Sequence, residues 1–318
     1  MDGKIVVFSN NVSRSLAQEI CEFLSLEHGI AIVGRHNDGE VKIKLGQNVR
    51  DADVFIVGST HPPLENAWEV ILLADAARRS SARRVTIVLP YLGYNRQDRK
   101  DEPRVPISGK LLIDALKLSR ADRAILLDVH SEATLSSFDP LVVDHLYAAK
   151  IVYEHLLALI PKPFVVASVD VGGLTRTKKY AKLLGTNYVV FDKTRKGAGQ
   201  LEDGSVTIVG NVKNMNVLFV DDMVDTAGSI SVDSKAARNA GALRIFACVA
   251  HGLLSQNAIE VLDNSPLEEL IILDTIPQSS EKLKTAKRVK ITILSAAYLL
   301  AEAIRLTHEG ESLSALII

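Results

Sequence analysis

Only two cysteines, Cys21 and Cys248, occur in the 318 residues, far apart and each beside apolar neighbours. They allow neither a disulfide framework nor a zinc spacing, and they read as buried thiols of a reducing compartment. No sign of charge dominates. A net charge of −1 excludes a general polyanion-binding surface, so no nucleic-acid partner is expected. No apolar run approaches the length of a membrane span, and the N-terminus has no basic region leading into an apolar core. The expectation is a cytoplasmic protein with no membrane partner. The phosphate signatures Gly-x-x-x-x-Gly-Lys-Ser/Thr and Gly-x-Gly-x-x-Gly are also missing, which disfavours a P-loop kinase or a dinucleotide oxidoreductase. Any phosphate chemistry must come from a site built in another way.

What is present is an alternation. Short β-branched runs such as Ile5–Phe8, Val54–Val57, Val85–Leu89, Ala124–Leu127, Phe164–Ala167, Tyr188–Phe191 and Val217–Val220 are separated by helical patterns. These include Arg14–Ser25, Glu65–Arg79, Gly109–Leu118, Leu146–Leu159, Gly173–Leu184 and Val232–Ala240. Such alternation predicts an α/β fold with largely parallel sheets flanked by helices. The length allows two domains, and a hydrophobic content of 47% can fill two cores. The expected division is 1–145 and 146–294, with a final helix in 295–318 packing back on the first domain. The two halves share a layout. Val54–Val57, Val85–Leu89 and Ala124–Leu127 correspond in this reading to Phe164–Ala167, Tyr188–Phe191 and Val217–Val220.

Residues Val220 to Ser229 read Val-Asp-Asp-Met-Val-Asp-Thr-Ala-Gly-Ser. A buried-type strand ends at Val220, which puts Asp221 and Asp222 at its carboxyl end, where open α/β sheets bind ligands. Thr226, Ala227, Gly228 and Ser229 make a small-residue turn into a helix, a place for an anion on backbone N–H groups and a helix dipole. Carboxylates accept from sugar hydroxyls while the turn holds a phosphate. An ordinary capped turn would account for one Asp and one Thr. It accounts poorly for Asp221, Asp222 and Asp225 together with Thr-Ala-Gly-Ser.

Five other segments carry polar groups after strands or in turns. His130, in Asp128-Val129-His130, can bind a metal or a phosphate oxygen. Asp170 precedes Gly172-Gly173, which lets backbone approach a pyrophosphate, and its carboxylate can hold Mg²⁺. Lys193 and Arg195 open a Gly-rich stretch, 197–204, that reads as a mobile flap carrying cations over an anionic site. Arg96 and Gln97 can hold a phosphate and an adenine edge. Asp38, Gly39 and Glu40 form an acidic turn.

Together these motifs resemble the ribose-phosphate pyrophosphokinase family along nearly the whole chain. The stretches that carry the resemblance are the 220–229 loop, Asp38-Gly39-Glu40, Pro90-Tyr91-Leu92-Gly93-Tyr94, Arg96-Gln97-Asp98-Arg99-Lys100, Pro106-Ile107-Ser108, Asp170-Val171-Gly172-Gly173 and Thr275-Ile276-Pro277. The resemblance implies two phosphoribosyltransferase-like domains and an Mg²⁺-dependent reaction. Ribose 5-phosphate and ATP give phosphoribosyl pyrophosphate (PRPP) and AMP. It implies that Asp221, Asp222, Asp225, Thr226, Ala227, Gly228 and Ser229 hold ribose 5-phosphate, with Arg195 shared between that substrate and catalysis. Lys193 and Arg195 act on the transferring group. Asp38, Gly39, Glu40, Arg96 and Gln97 hold ATP, and His130 and Asp170 serve the metal-bound phosphates. It further implies a homo-oligomer, a hexamer, whose ATP site a neighbouring subunit completes. His36 stands where the family usually has a Phe stacked on adenine. Two alternatives remain: a phosphoribosyltransferase that uses PRPP as donor, and a catalytically silent regulatory relative.

Overall fold

Runs of Val, Ile and Leu become strands buried on both faces when helices cover a parallel sheet. The computed structural model describes residues 3–196 and 200–317, with backbone alone over 193–205. They divide into two units, Met1–Tyr147 with Thr275–Pro277 and Ser295–Ile318, and Ala148–Asp274 with Gln278–Leu294.

In the first unit, β1 (Ile5–Ser9), β4 (Asp53–Val57), β5 (Arg84–Leu89), β6 (Arg123–Leu127) and β7 (Val142–Leu146) lie side by side in that order. Every pairing is parallel. Helices α2 (Glu65–Arg79) and α3 (Ser108–Lys117) bury Val70, Leu73, Ala74, Leu112, Ile113 and Leu116 in one core with Val54, Ile56, Val85 and Ile87. Helix α1 (Arg14–Phe23) packs on α9 (Ala297–Glu309), the last helix of the chain. Strands β2 (Ala31–Arg35) and β3 (Val41–Leu45) form a separate antiparallel hairpin.

The second unit opens with α4 (Ala149–Leu159). Its sheet runs β10 (Gln200–Val209), β9 (Tyr188–Lys196), β8 (Phe164–Ser168), β11 (Asn216–Val224), β12 (Ile245–Gly252), β13 (Glu269–Leu273) and β14 (Lys290–Leu294). All pairings are parallel except β10 with β9. Helices α5 (Leu174–Leu184), α6 (Gly228–Asn239), α7 (Ala258–Asp263) and the short α8 (Ser280–Leu283) lie between strands. The winding direction reverses here. From β8 the chain crosses through α5 to β9 on one side, and from β11 it crosses through α6 to β12 on the other. The carboxyl ends of β8 and β11 therefore flank a topological switch point, the place where open α/β sheets leave a crevice.

Four expectations are corrected. Strand β11 runs on to Val224, because β12 continues to pair with it at Asp221↔Val249, Met223↔His251 and Val224↔Gly252. Asp221 and Asp222 thus lie within the strand, and α6 starts at Gly228 rather than Val232. Residues 142–146 form β7, so the helix expected from Leu146 starts at Ala149. Residues 200–204 belong to β10, which pairs antiparallel with β9, rather than to an irregular loop; 197–199 lie outside the described residues. The matching of halves also changes. Strand β5 lies between β4 and β6, but β9 lies on the far side of β8 from β11. By order in the chain and position in the sheet, β1, β4, β5, β6 and β7 correspond to β8, β11, β12, β13 and β14.

Candidate active site

The switch point of the second unit gathers polar groups from two neighbouring strand ends. Strand β11 delivers Asp221 and Asp222, and the chain then runs through Asp225 and Thr226 to α6. Ala227, the residue that enters the helix, is left-handed at φ 63° and ψ 5° and offers no side-chain cap. An L-residue with a Cβ takes that conformation only under constraint from its surroundings. Just before it the chain is pinned by Leu253 N and Leu254 N, which both donate to Val224 O, and by Ser255 N, which donates to Asp225 O at 2.9 Å. Thr226, Gly228 and Ser229 are exposed while Ala227 is buried. A Cβ on Gly228 would meet only Thr226 Oγ1, at 3.9 Å. The first turn of α6 is therefore open, uncapped and approachable by backbone, the arrangement that suits an anion.

Beside it the carboxylates are held under tension. Asp222 is buried and Asp221 partly so. Asp222 N donates to Asp221 Oδ1 at 2.9 Å. Burial, followed by the charge of Asp222, pushes the Asp221 carboxyl well above its usual range, and Arg176 opposes the shift. Arg176 Nη1 stands 3.5 Å from Oδ1 of both acids and is shared between them. A ligand that offers hydroxyl donors would relieve two crowded anions.

The β8 end supplies the other rim. Asp170 is exposed, and its Oδ1 accepts from Gly173 N at 2.8 Å. Gly173 lets this turn fold tightly, since a Cβ there would lie 3.0 Å from Ser168 Oγ. Because Ser168 and Val220 are register partners, the Asp170 turn and the Asp221 pair rise from neighbouring strand ends.

In the first unit, Arg96 is exposed and Gln97 partly buried in the turn after β5. Exposed His130 follows β6, the adjacent strand. Ahead of it, Asp128 is left-handed at φ 45° and Val129 N donates to His145 Nε2 at 3.1 Å. Asp38, Gly39 and Glu40 are exposed at the tip of the β2–β3 hairpin, on a separate sheet. There His36 N donates to Glu40 O at 2.8 Å and Glu40 N to Asp38 Oδ1 at 3.1 Å. The backbone of Lys193 and Arg195 is in β9, and their side chains lie outside the described residues.

Sequence reasoning missed Arg176, the cation that faces both acids. An arginine in the first turn of a helix looks like any surface residue until the neighbouring strand is placed. The spacing of three residues from Gly173 was the available signal.

Among the described residues no helix is long and apolar enough to cross a membrane. Residues 5–119 match the N-terminal domain of ribose phosphate pyrophosphokinase, and residues 197–318 match the phosphoribosyl synthetase-associated domain. Ribose-phosphate pyrophosphokinase A of Dictyostelium discoideum is 39% identical over 318 residues, covering 99% of this chain and 98% of that protein. The ribose-phosphate pyrophosphokinase of Shewanella oneidensis is 40% identical over 315 residues, covering 98% of each. The crystal structure of phosphoribosylpyrophosphate synthetase from Mycobacterium smegmatis superposes with a TM-score of 0.86 at 31% identity, covering 96% of this chain and 99% of that one. Its parallel sheets, its loop at the switch point and its likeness to these proteins from end to end have one common explanation: the chain belongs to the ribose-phosphate pyrophosphokinase family, enzymes that transfer diphosphate groups.

Proposed function

We propose that the protein transfers the β,γ-pyrophosphoryl group of MgATP to the anomeric hydroxyl of ribose 5-phosphate, giving PRPP and AMP for nucleotide biosynthesis in the cytoplasm. The observation that carries this is the open first turn of α6, entered through left-handed Ala227, beside the crowded Asp221–Asp222 pair. The 5-phosphate sits on the backbone of Thr226, Ala227, Gly228 and Ser229. Ribose hydroxyls donate to Asp221 and Asp225, with Asp222 and Arg195 completing the sugar-phosphate site. Fixing the sugar at several points turns a bimolecular attack into an oriented one.

The anomeric oxygen forms a bond to the β-phosphorus as the bond from that phosphorus to the α,β-bridging oxygen breaks. AMP leaves with that oxygen, and the hydroxyl proton is lost. Lys193 and Arg195 stabilise the charge that develops on the transferring group. On the nucleotide, Arg96 and Gln97 hold ATP together with Asp38, Gly39 and Glu40. The exposed hairpin tip fits a contribution from a neighbouring subunit, in a homo-oligomer that we take to be a hexamer.

Mg²⁺ keeps several water or phosphate oxygens and takes only one or two carboxylates from protein. The exposed Asp170 carboxylate suits that role, and among the described residues no cluster of three His, Cys, Asp or Glu forms an all-protein metal cage. Asp170 would hold the ion, and His130 would serve the metal-bound phosphates. The ion would neutralise pyrophosphate charge.

The test is product analysis with labelled ATP, Mg²⁺ and ribose 5-phosphate. AMP and PRPP should appear in equal amounts, and only when both substrates and Mg²⁺ are present. ADP as the nucleotide product would place attack at the γ-phosphorus and refute the reading. Release of pyrophosphate from PRPP on addition of a base, without ATP consumption, would mark a phosphoribosyltransferase.

A further inference from the structure

Between β5 and α3 lies a side chain that the mechanism above does not use. Asn95 is only 1% exposed, and neither its amide nitrogen nor its amide oxygen has a hydrogen-bond partner. Buried amides are almost always paired, so an orphan of this kind calls for a reason. Its neighbour Tyr94 is left-handed at φ 60°, an unusual state for a bulky residue. Two consecutive residues therefore break local rules, directly before Arg96 and Gln97.

Helix α3 faces this side chain through Gly109. A Cβ on Gly109 would lie 3.0 Å from Asn95 Oδ1 and 3.3 Å from Asn95 Cα. Glycine at 109 thus leaves the room that the Asn95 amide fills. The turn is also tied to the start of α3. Gly109 N donates to Gln97 O at 3.2 Å. Ser108 Oγ lies 3.2 Å from Tyr94 O and 3.1 Å from Gln97 Oε1. The distance between the turn and α3 therefore sets where the Arg96–Gln97 backbone sits. An apolar residue at 95 would serve folding better than an unpaired amide. Departures of this kind from local consistency concentrate at functional sites.

We propose that Asn95 is a positioning residue for the nucleotide donor, a wedge between the Tyr94 turn and α3 that orients Arg96 and Gln97, with Gly109 as its required partner. The proposal rests on the reading of Arg96 and Gln97 as ATP ligands. It goes beyond that reading by assigning a role to two residues that need not touch ATP.

The experiment compares wild type, Asn95→Ala, Gly109→Ala, the double variant and Arg96→Ala. It combines steady-state kinetics in both substrates, calorimetric binding of a non-hydrolysable ATP analogue, and thermal melts. Asn95→Ala should raise the KM for ATP roughly fivefold and weaken the analogue in step, as loss of positioned binding does. The KM for ribose 5-phosphate should stay within about twofold, and the Tm should not fall. Gly109→Ala, which keeps Asn95 and pushes on its amide, should reproduce the ATP defect. Added to Asn95→Ala it should do less than in wild type, because the 3.0 Å contact with the amide is gone and only the 3.3 Å contact with the residue 95 Cα remains.

Unchanged ATP affinity in Asn95→Ala overturns the proposal, as does a parallel loss for both substrates. So does a Gly109→Ala effect of equal size in both backgrounds. A lower Tm with intact ATP kinetics would make Asn95 a scaffold residue and also overturns it. Arg96→Ala separates the two levels. If it loses ATP while Asn95→Ala does not, only the wedge fails. If it binds ATP normally, the assignment of this segment to the nucleotide fails as well.

Discussion

The two units contain the same kind of parallel sheet wound differently. In the first, β4, β5, β6 and β7 are added in turn on the same side of β1, and β2 and β3 stay apart as a hairpin. In the second, the chain turns back after β10 and builds β11, β12, β13 and β14 on the other side of β8. Only the second winding opens a crevice between adjacent strand ends, because the helices that follow β8 and β11 leave in opposite directions. The polar loops of the two units differ to match. After β11 come small residues and carboxylates, a cradle for one compact sugar phosphate. After β5 comes Pro90 to Ile107, a longer segment with Arg96, Arg99 and Lys100 and a buried orphan amide. The reversal of winding supplies the space, and small residues let backbone line it.

The largest effect expected from this difference lies on the β9–β10 ribbon, an edge extension that the described first-unit sheet does not have. Lys193→Ala should lower kcat about 10²-fold or more, while both KM values change much less, as for cations that act on developing charge. Arg195→Ala should behave alike, and the double variant should fall well short of the product of the two losses, because the pair acts as a unit. If either single substitution leaves kcat within a few-fold of wild type, the ribbon is a solvated edge and the second unit only binds.

A crossed measurement sharpens the division of labour. Asp221→Ala and Asp225→Ala should each weaken ribose 5-phosphate by about 1.5–3 kcal/mol, the worth of a charged hydrogen bond, and leave ATP nearly untouched. Arg96→Ala should do the reverse. Titration of each substrate by calorimetry checks both. Equal losses for the two substrates in any of these variants would dissolve the distinction between the loops.

Smaller in effect is Gly228→Ala. The backbone there is open, with Thr226 Oγ1 the nearest obstacle at 3.9 Å. Folding should be unchanged or improved, since alanine favours helix. The added methyl would stand where a phosphate approaches the backbone, and ribose 5-phosphate should bind about tenfold more weakly, or about 1.4 kcal/mol. A variant with full affinity would show that the anion is held by side chains and not by the turn.

How far the sequence reveals this arrangement depends on whether the cause is local. The 225–229 turn was readable because Thr-Ala-Gly-Ser carries its backbone chemistry in the residues themselves. The true end of β11 was not, since pairing with β12 is a long-range event. Strand β2 escaped notice because none of its residues is fully buried and it contains Gly34, so neither a clean alternation nor a buried run announces it. Strand β10 was hidden by Glu202, Asp203 and Gly204, residues that favour loops. The winding reversal was unreadable for the same physical reason as Arg176. Strand order and the partner of a surface cation are properties of the assembled sheet.

The smallest effect concerns two aspartates whose surroundings push them in opposite directions. Burial alone would raise the carboxyl of Asp53 in the first unit, but hydrogen bonds from Arg84, Arg83 and His308 hold it far below its usual range. Arg84 Nε lies 2.9 Å from Oδ1, Arg83 Nη2 3.0 Å and His308 Nδ1 2.7 Å from Oδ2. Its ionised form therefore stabilises the fold, fully above the unfolded pKa, and that contribution is lost as pH falls through the folded value. Asp221 has the opposite sign. Its carboxyl is raised above 3.8, so the native state binds the proton more tightly than the unfolded chain. Ionisation then works against the fold at neutral pH, and the penalty fades as pH falls through the raised native pKa. Asp221→Asn should accordingly raise the Tm at pH 7 by a few degrees, about 1 kcal/mol in a domain of this size, while it weakens ribose 5-phosphate. The gain over wild type should shrink on acidification, because Asp221 then becomes neutral as well. Asp53→Asn should lower the Tm at pH 7 and also converge with wild type in acid. Melting curves at several pH values, without substrate, distinguish the two. If Asp221→Asn lowers the Tm at neutral pH, then Arg176 neutralises the acid pair after all. The crowded carboxylates would in that case be a structural ion pair like the one at Asp53, and not a site kept under tension for a sugar.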